Sequence, residues 1–213
     1  MNPNPNSPPD ALLMIAKGCP HCPTVLQGLG ELIKSGRIGR LEVVNITEHP
    51  DVAQEFGVRG VPWLRLGPFE LTGLRSPAEL AQWTERAASA TGLADYVSEL
   101  LTTGDLAGVR ATLQRAPQTA AALVQLLGDP EAELQIRLGV AAILEDLEGG
   151  ALLRGQIDAL GALTGHSDAR IRLDACHALG LTHDPAARPY LEALREDADP
   201  DVREEAADSL AIL

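Results

Sequence analysis

ALLMIAKGCPHC, at residues 11–22, is the stretch of sequence on which the predicted fold depends. Its first six residues form a short apolar run that is typical of a buried strand. After Pro23, apolar residues recur with the spacing of one face of a helix, ending before Gly36. The stretch therefore predicts a strand that leads directly into a helix, with two cysteines at the junction.

Cys19 and Cys22 are three residues apart, so at a helix start they lie on one side of the first turn, within reach of a disulfide. Unpaired N–H groups and the helix dipole there favour a thiolate on Cys19. We predict Cys19 as the nucleophile and Cys22 as the more buried, resolving thiol. Pro20 and His21 complete the predicted catalytic motif, and His21 would stabilise the thiolate and make the pair more oxidising.

Half of a zinc site is the alternative interpretation of this motif. Structural zinc takes four ligands from Cys, His or acidic residues. The chain has no second CxxC pair, and the third cysteine, Cys176, lies far along the sequence. The helical pattern of the residues around Cys176 predicts that this cysteine is a small, buried hydrophobic residue. We therefore favour redox chemistry without a metal or an organic cofactor, the disulfide itself being the redox group.

Further elements follow the motif. Residues 41–46 are rich in β-branched side chains and predict a second strand, and residues 48–56 predict a short helix. Residues 61–66 and 69–72 predict a hairpin around Gly67-Pro68. Ser76-Pro77-Ala78-Glu79 is a helix start with a capping residue, a proline and a glutamate in the favoured positions. The predicted order is β-α-β-α-β-β-α.

This order of elements, with CPHC at the first strand–helix junction, resembles the thioredoxin fold, a mixed sheet flanked by helices, over about residues 11–91. The motif is similar to that of bacterial Dsb-type disulfide oxidases, whereas the length is similar to that of short thioredoxins and glutaredoxins. The resemblance implies thiol–disulfide exchange, a cis bond before Pro62 and substrate binding at Val61 and Pro62. The chain lacks the Trp before the motif and the buried Asp of thioredoxin, and the direction of electron transfer stays open.

Beyond Gly92 no further strand is predicted, and three similar helical segments recur. Their arginines, Arg137, Arg172 and Arg203, are 35 and 31 residues apart, a period typical of a helical solenoid. Residues 93–213 resemble HEAT-like repeats, which implies an all-α protein-binding domain. The arginines are expected to tie helices to neighbouring turns through Asp129, Asp168 or Asp199. Residues 1–10 predict a disordered lead-in.

Charge separates the two halves of the chain. Residues 1–92 hold 8 Lys and Arg against 9 Asp and Glu, whereas residues 93–213 hold 9 against 21. An acidic surface repels phosphate backbones, so nucleic acid is an unfavourable partner and a basic protein client is favoured. No run approaches the length of a membrane helix and the first residues do not resemble a secretory signal, so we expect a cytoplasmic location.

The sequence thus predicts a cytoplasmic thiol–disulfide oxidoreductase that uses a thiol electron donor or acceptor. Its repeat domain would recruit the protein client. Two alternatives stay open: a scaffold or maturation adaptor with marginal redox turnover, and a redox-controlled chaperone.

Overall fold

The structure is a computed structural model that describes residues 8–89 and 91–213. The chain divides into two compact units at the bond between Leu93 and Ala94. Most of the predicted lead-in, residues 1–7, lies outside the described residues. The first strand begins at Asp10, inside that predicted lead-in, because the Asp10 backbone pairs with Arg40 of the neighbouring strand.

The first unit contains a four-stranded sheet and three helices. The strands are β1 (Asp10–Ile15), β2 (Arg40–Asn45), β3 (Trp63–Leu66) and β4 (Phe69–Thr72). The helices are α1 (Cys22–Lys34), α2 (Pro50–Glu55) and α3 (Pro77–Ala87). The sheet order is β2-β1-β3-β4, with β1 parallel to β2 and antiparallel to β3. This mixed sheet with flanking helices is the predicted thioredoxin-like fold.

Strand β1 is the centre of the first core because both of its faces are covered. Leu12 and Met14 pack with Trp63 on one face, where residues from β2 and the α2 region complete the cluster. Leu13, on the alternate face, is fully buried. On the helical side, a Cβ placed on Gly28 would lie 2.7 Å from Leu80, so the glycine lets α1 and α3 approach closely. This packing fixes the start of α1 relative to the end of β1.

Helix α3 begins as its sequence predicts. The Ser76 hydroxyl accepts a hydrogen bond from the Glu79 N–H, and the Glu79 carboxylate accepts one from the Ser76 N–H. The bond from the Ser76 N–H, followed by a bond that the Ser76 hydroxyl donates to the same carboxylate, holds the pKa of Glu79 below its ordinary value. The reciprocal pair satisfies two backbone donors that a helix start otherwise leaves without a partner.

The second unit is helical throughout its described elements. Helix α4 (Gly92–Thr102) crosses the division between the units, and eight further α-helices follow it in the described chain. They are α5 (Leu106–Arg115), α6 (Thr119–Leu127), α7 (Leu134–Asp146), α8 (Ala151–Arg154), α9 (Ile157–Leu163), α10 (Ala169–Gly180), α11 (Arg188–Leu194) and α12 (Pro200–Ala211). Helix α10 packs against both α7 and α12, as expected for stacked repeats. Cys176 is fully buried in α10, as predicted, and burial raises the pKa of its thiol to about 12.

The repeat arginines make different contacts from those expected. Arg172 donates to Asp197, in the turn of the following repeat, and also to the carbonyl oxygens of His166 and Ser167. Arg137 pairs with Asp174 of α10, not with a turn carboxylate. The expected carboxylates instead accept backbone N–H groups close to them in sequence. Asp168 and Asp199 cap the starts of α10 and α12, and Asp129 accepts the Glu131 N–H in the turn before α7.

His183 joins the end of α10 to two other parts of the second unit. Its Nε2 lies 2.7 Å from a Glu148 carboxylate oxygen and its Nδ1 lies 3.2 Å from the Ile212 carbonyl oxygen. Both partners can only accept, so both contacts are hydrogen bonds only when the ring is the imidazolium. The bond to Glu148, followed by the bond to Ile212, raises the pKa of His183, although Arg154 opposes this shift.

We predict that His183 stabilises the second unit in a pH-dependent way. Because its folded-state pKa is raised, its contribution is complete below the unfolded-state pKa and is lost as the pH rises through the folded-state pKa. In urea titrations, His183→Asn should therefore lower the free energy of unfolding more at about pH 5.5 than at about pH 9. Asn tolerates the positive φ of 47° at this position. A difference that grew towards high pH would contradict the assignment.

Candidate redox site

The chain between β1 and α1 forms a tight turn that presents the first cysteine. The Cys19 N–H donates to the Ala16 carbonyl oxygen over 3.3 Å, which closes a four-residue turn. Gly18, at the third position of that turn, has a φ of +81°, a conformation that favours glycine. The Lys17 N–H donates to the Thr47 hydroxyl over 3.3 Å, which ties the turn to the segment after β2. Thr47 thus stabilises the turn before Cys19 although it lies about thirty residues further along the chain. The sequence pattern does not reveal this contact.

Cys19 and Cys22 form a disulfide, with an S–S distance of 2.07 Å. Cys22 is the first residue of α1 and is only 5% exposed, whereas Cys19 is half-buried. Pro20 and His21 are both exposed between them. Of the two sulfurs, Cys19 is therefore the one that a large substrate can reach, and Cys22 is the more buried thiol, as predicted.

The start of α1 provides a hydrogen bond to the sulfur of Cys19. The N-cap residue, His21, makes no side-chain cap, and the Cys22 N–H instead donates to Cys19 Sγ over 3.1 Å. No acidic residue lies in the first turn of α1. After reduction, the same N–H and the positive end of the helix dipole would face a Cys19 thiolate without a competing carboxylate. This is the arrangement that lowers the pKa of a cysteine thiol.

Val61 and Pro62 lie at the end of the sheet that carries the motif. Met14 of β1 pairs with Trp63 of β3 in antiparallel register, so the residues before β3 lie beside the end of β1 from which the CxxC turn departs. The Val61-Pro62 peptide bond is cis, as the resemblance implied. Pro62 is buried, and its carbonyl oxygen accepts the Gly73 N–H over 2.9 Å. The fold therefore brings together segments that are about forty residues apart in sequence.

Within residues 8–89 and 91–213, no three or more His, Cys, Asp or Glu side chains form a group suited to a metal ion. None of the helices in those ranges has both the length and the apolar character that crossing a lipid bilayer requires.

Comparisons with known proteins agree with this geometry. The family model of the thioredoxin domain matches residues 12–85, and that of HEAT repeats matches residues 120–211. Protein disulfide-isomerase of Oryctolagus cuniculus is 33% identical over 93 residues, covering 38% of this chain and 18% of the relative. The chain thus spans less than a fifth of that relative's length. It combines a thioredoxin-like domain with C-terminal HEAT-like repeats, and its Cys19–Cys22 disulfide supports thiol–disulfide redox chemistry.

Proposed function

We propose that the protein is a cytoplasmic thiol–disulfide oxidoreductase whose HEAT-like repeats recruit a protein client. The observation that carries the proposal is the hydrogen bond from the Cys22 N–H to Cys19 Sγ at the start of α1. This bond supports Cys19 as the nucleophile, since the same N–H would stabilise its thiolate within bonding distance of the buried second sulfur. HEAT repeats generally bind proteins, and the acidic second unit favours a client with a basic surface.

In the proposed reductive reaction, the Cys19 thiolate attacks one sulfur of a client disulfide. The client S–S bond breaks, its other sulfur leaves as a thiolate, and a mixed disulfide joins Cys19 to the client. Cys22 loses its proton to solvent and attacks the Cys19 sulfur, which releases the second client thiolate and closes the Cys19–Cys22 disulfide. The client gains two electrons and the dithiol loses two. An external thiol restores the dithiol, and the reversed sequence oxidises a client dithiol.

Four further residues have proposed roles in this reaction. Pro20 is the exposed residue next to the nucleophile, and His21, when it donates a hydrogen bond, stabilises the Cys19 thiolate. Val61 and Pro62 bind the client segment that carries the reacting disulfide. An extended segment would pair through its main chain with the backbone at Val61, in the manner of edge-strand addition. Both electrons reside on sulfur throughout, so the proposal includes neither a metal nor an organic cofactor.

A client that is trapped on the protein would identify the nucleophile. In Cys22→Ser the second exchange step has no attacking sulfur, so we expect mixed disulfides to accumulate at Cys19 and to be released by dithiothreitol. The measurement is non-reducing electrophoresis followed by peptide mapping of the linked cysteine. Cys176→Ala serves as the control, because that residue is fully buried and should not affect trapping. Adducts mapped to Cys176 instead of Cys19 would contradict the assignment.

An adaptor with marginal redox turnover is the second candidate function. In the part of the chain that the structure describes, the buried polar side chains are Thr84, Thr112, Thr119, Thr182 and Ser209. No buried carboxylate is therefore available there to accept the proton of Cys22 in the second step. Insulin reduction separates the two functions: turnover well above that of free dithiothreitol supports the oxidoreductase, and turnover equal to it supports the adaptor.

A further inference from the structure

Helix α7 exposes two leucines to solvent in the second unit. Leu134 is 67% exposed and Leu138 is 62% exposed, which makes them the most exposed large apolar side chains in the described ranges. They are four residues apart and so lie on one side of the helix. Ala141, three residues further on, continues the same side. A folded domain gains nothing from such a row in water, and contiguous exposed apolar surface commonly marks a binding site.

The last residue of this row, Ala141, lines a cavity of about 190 Å³ whose lining also includes residues of α6, α10 and α12. Ala141 and Leu144 of α7 and Leu173 and Ala178 of α10 form much of its apolar wall. A cavity of about 150 Å³ holds one benzene molecule, so this one can take a single aliphatic or aromatic side chain. The exposed leucines and the cavity together form an apolar groove, which we call the α7 groove.

Carboxylates border the α7 groove on the side of α12. Glu205 lies in the cavity wall, where it also accepts from His177 and Ser209. Asp201 and Asp208 are four residues before and three residues after Glu205, so they lie on the same side of α12, and both are exposed. Asp174, also in the wall, is already paired with Arg137. The groove is therefore apolar along its floor and negative along one edge, within a unit whose charge is strongly negative.

We infer that the α7 groove binds an amphipathic helix of a protein client, with apolar side chains in the groove and Lys or Arg facing α12. The binding of a helix in this groove explains both of its features. Apolar side chains at helical spacing would contact the leucine row and the cavity, and basic side chains on one flank would face the α12 carboxylates. A second copy of the acidic chain would instead bring like charges together along that edge. The inference rests on the proposed function, because it specifies the client that the repeats would recruit.

A synthetic helical peptide of leucine and lysine, labelled with fluorescein, serves as the probe. We expect it to bind the full chain in a fluorescence anisotropy titration and to bind more weakly as salt rises. The double variant Leu134→Ser with Leu138→Ser should weaken binding about tenfold or more, because two buried leucine contacts are lost. Both leucines are exposed, so this variant should fold. Ile212→Ser, at a residue 54% exposed elsewhere in the unit, is the matched control and should leave affinity unchanged.

A second variant tests the charged edge. Asp201→Asn with Asp208→Asn should reduce the salt dependence of peptide binding, and a peptide with glutamate in place of lysine should not bind. Unchanged affinity in the leucine variant, equal binding of the glutamate peptide, or no binding of the lysine peptide would overturn the inference. A dimer in sedimentation that the leucine substitutions dissociate would overturn it too, since a second copy would then be the occupant. Insulin reduction, measured in parallel, reports on the proposed function independently of the groove.

Discussion

Cys19→Ser is expected to abolish insulin reduction by the protein, leaving only the rate of the dithiothreitol that supplies electrons. A serine hydroxyl stays protonated at neutral pH and cannot form a disulfide, so neither the first nor the second exchange step can occur. Pro20 and His21 would be unchanged, and the variant should fold because Cys19 is half-buried beside solvent.

Two control variants make this expectation specific. Cys176→Ala should retain turnover, since that thiol is buried and its raised pKa keeps it protonated. Cys22→Ser should lose multiple turnover yet still form the mixed disulfide at Cys19. Retention of insulin reduction by Cys19→Ser would contradict the proposed mechanism, because no other described cysteine is accessible.

Arg172→Leu should destabilise the protein more than any other single change to an ion pair discussed above. The Arg172 side chain is 14% exposed and that of Asp197 is 9% exposed, and the pair is bidentate, with distances of 2.7 and 2.8 Å. Removing the guanidinium leaves a nearly buried carboxylate with only the Asp199 N–H as a donor, and it also removes the donor to two turn carbonyl groups. Loss of one partner of a buried pair costs about 3 kcal/mol.

Urea unfolding measures this effect, with Arg188→Leu as the matched control. Arg188 pairs with Glu192 at 3.9 Å on the surface, so its removal should change the free energy of unfolding little. Equal effects of the two substitutions would contradict the assigned role of Arg172.

The same pair predicts how stability responds to acid. The hydrogen bond from Arg172 lowers the pKa of Asp197, so this carboxyl group contributes stability above its unfolded-state pKa and loses it as the pH falls through the folded-state pKa. In Arg172→Leu the acid-dependent part of the unfolding free energy should shrink. An unchanged acid dependence would show that the pair does not control the titration of Asp197.

Local features of the fold could be predicted because the residues that create them are neighbours in sequence. The capping box of Ser76 and Glu79 and the position of the CxxC at a helix start depend on contacts within one turn. The element order was confirmed, although β3 begins at Trp63 and not at Val61. Proline cannot donate to a strand ladder, which explains why regular pairing starts after Pro62.

Features that depend on stacking could not be predicted from the sequence. Arg172 pairs with Asp197 because the turn of the next repeat lies close to it in the folded chain. Asp168 instead accepts a backbone N–H at the start of α10. Helix α7 is apolar on most sides, so its period could not show that Leu134 and Leu138 face solvent while Ile136 is buried. The excess of acidic residues in the second unit, in contrast, could be predicted from the sequence. Some of these residues form the charged edge of the α7 groove.

The central claim is that the start of α1 stabilises the Cys19 thiolate, and alkylation kinetics test it most directly. The protein is reduced and its reaction with iodoacetamide is followed across a range of pH, with Cys22→Ser to isolate position 19. The account predicts rapid alkylation that persists into mildly acidic solution, because the N–H groups and the dipole at the start of α1 would stabilise the thiolate. A slow reaction that follows the titration of an ordinary cysteine would contradict the account.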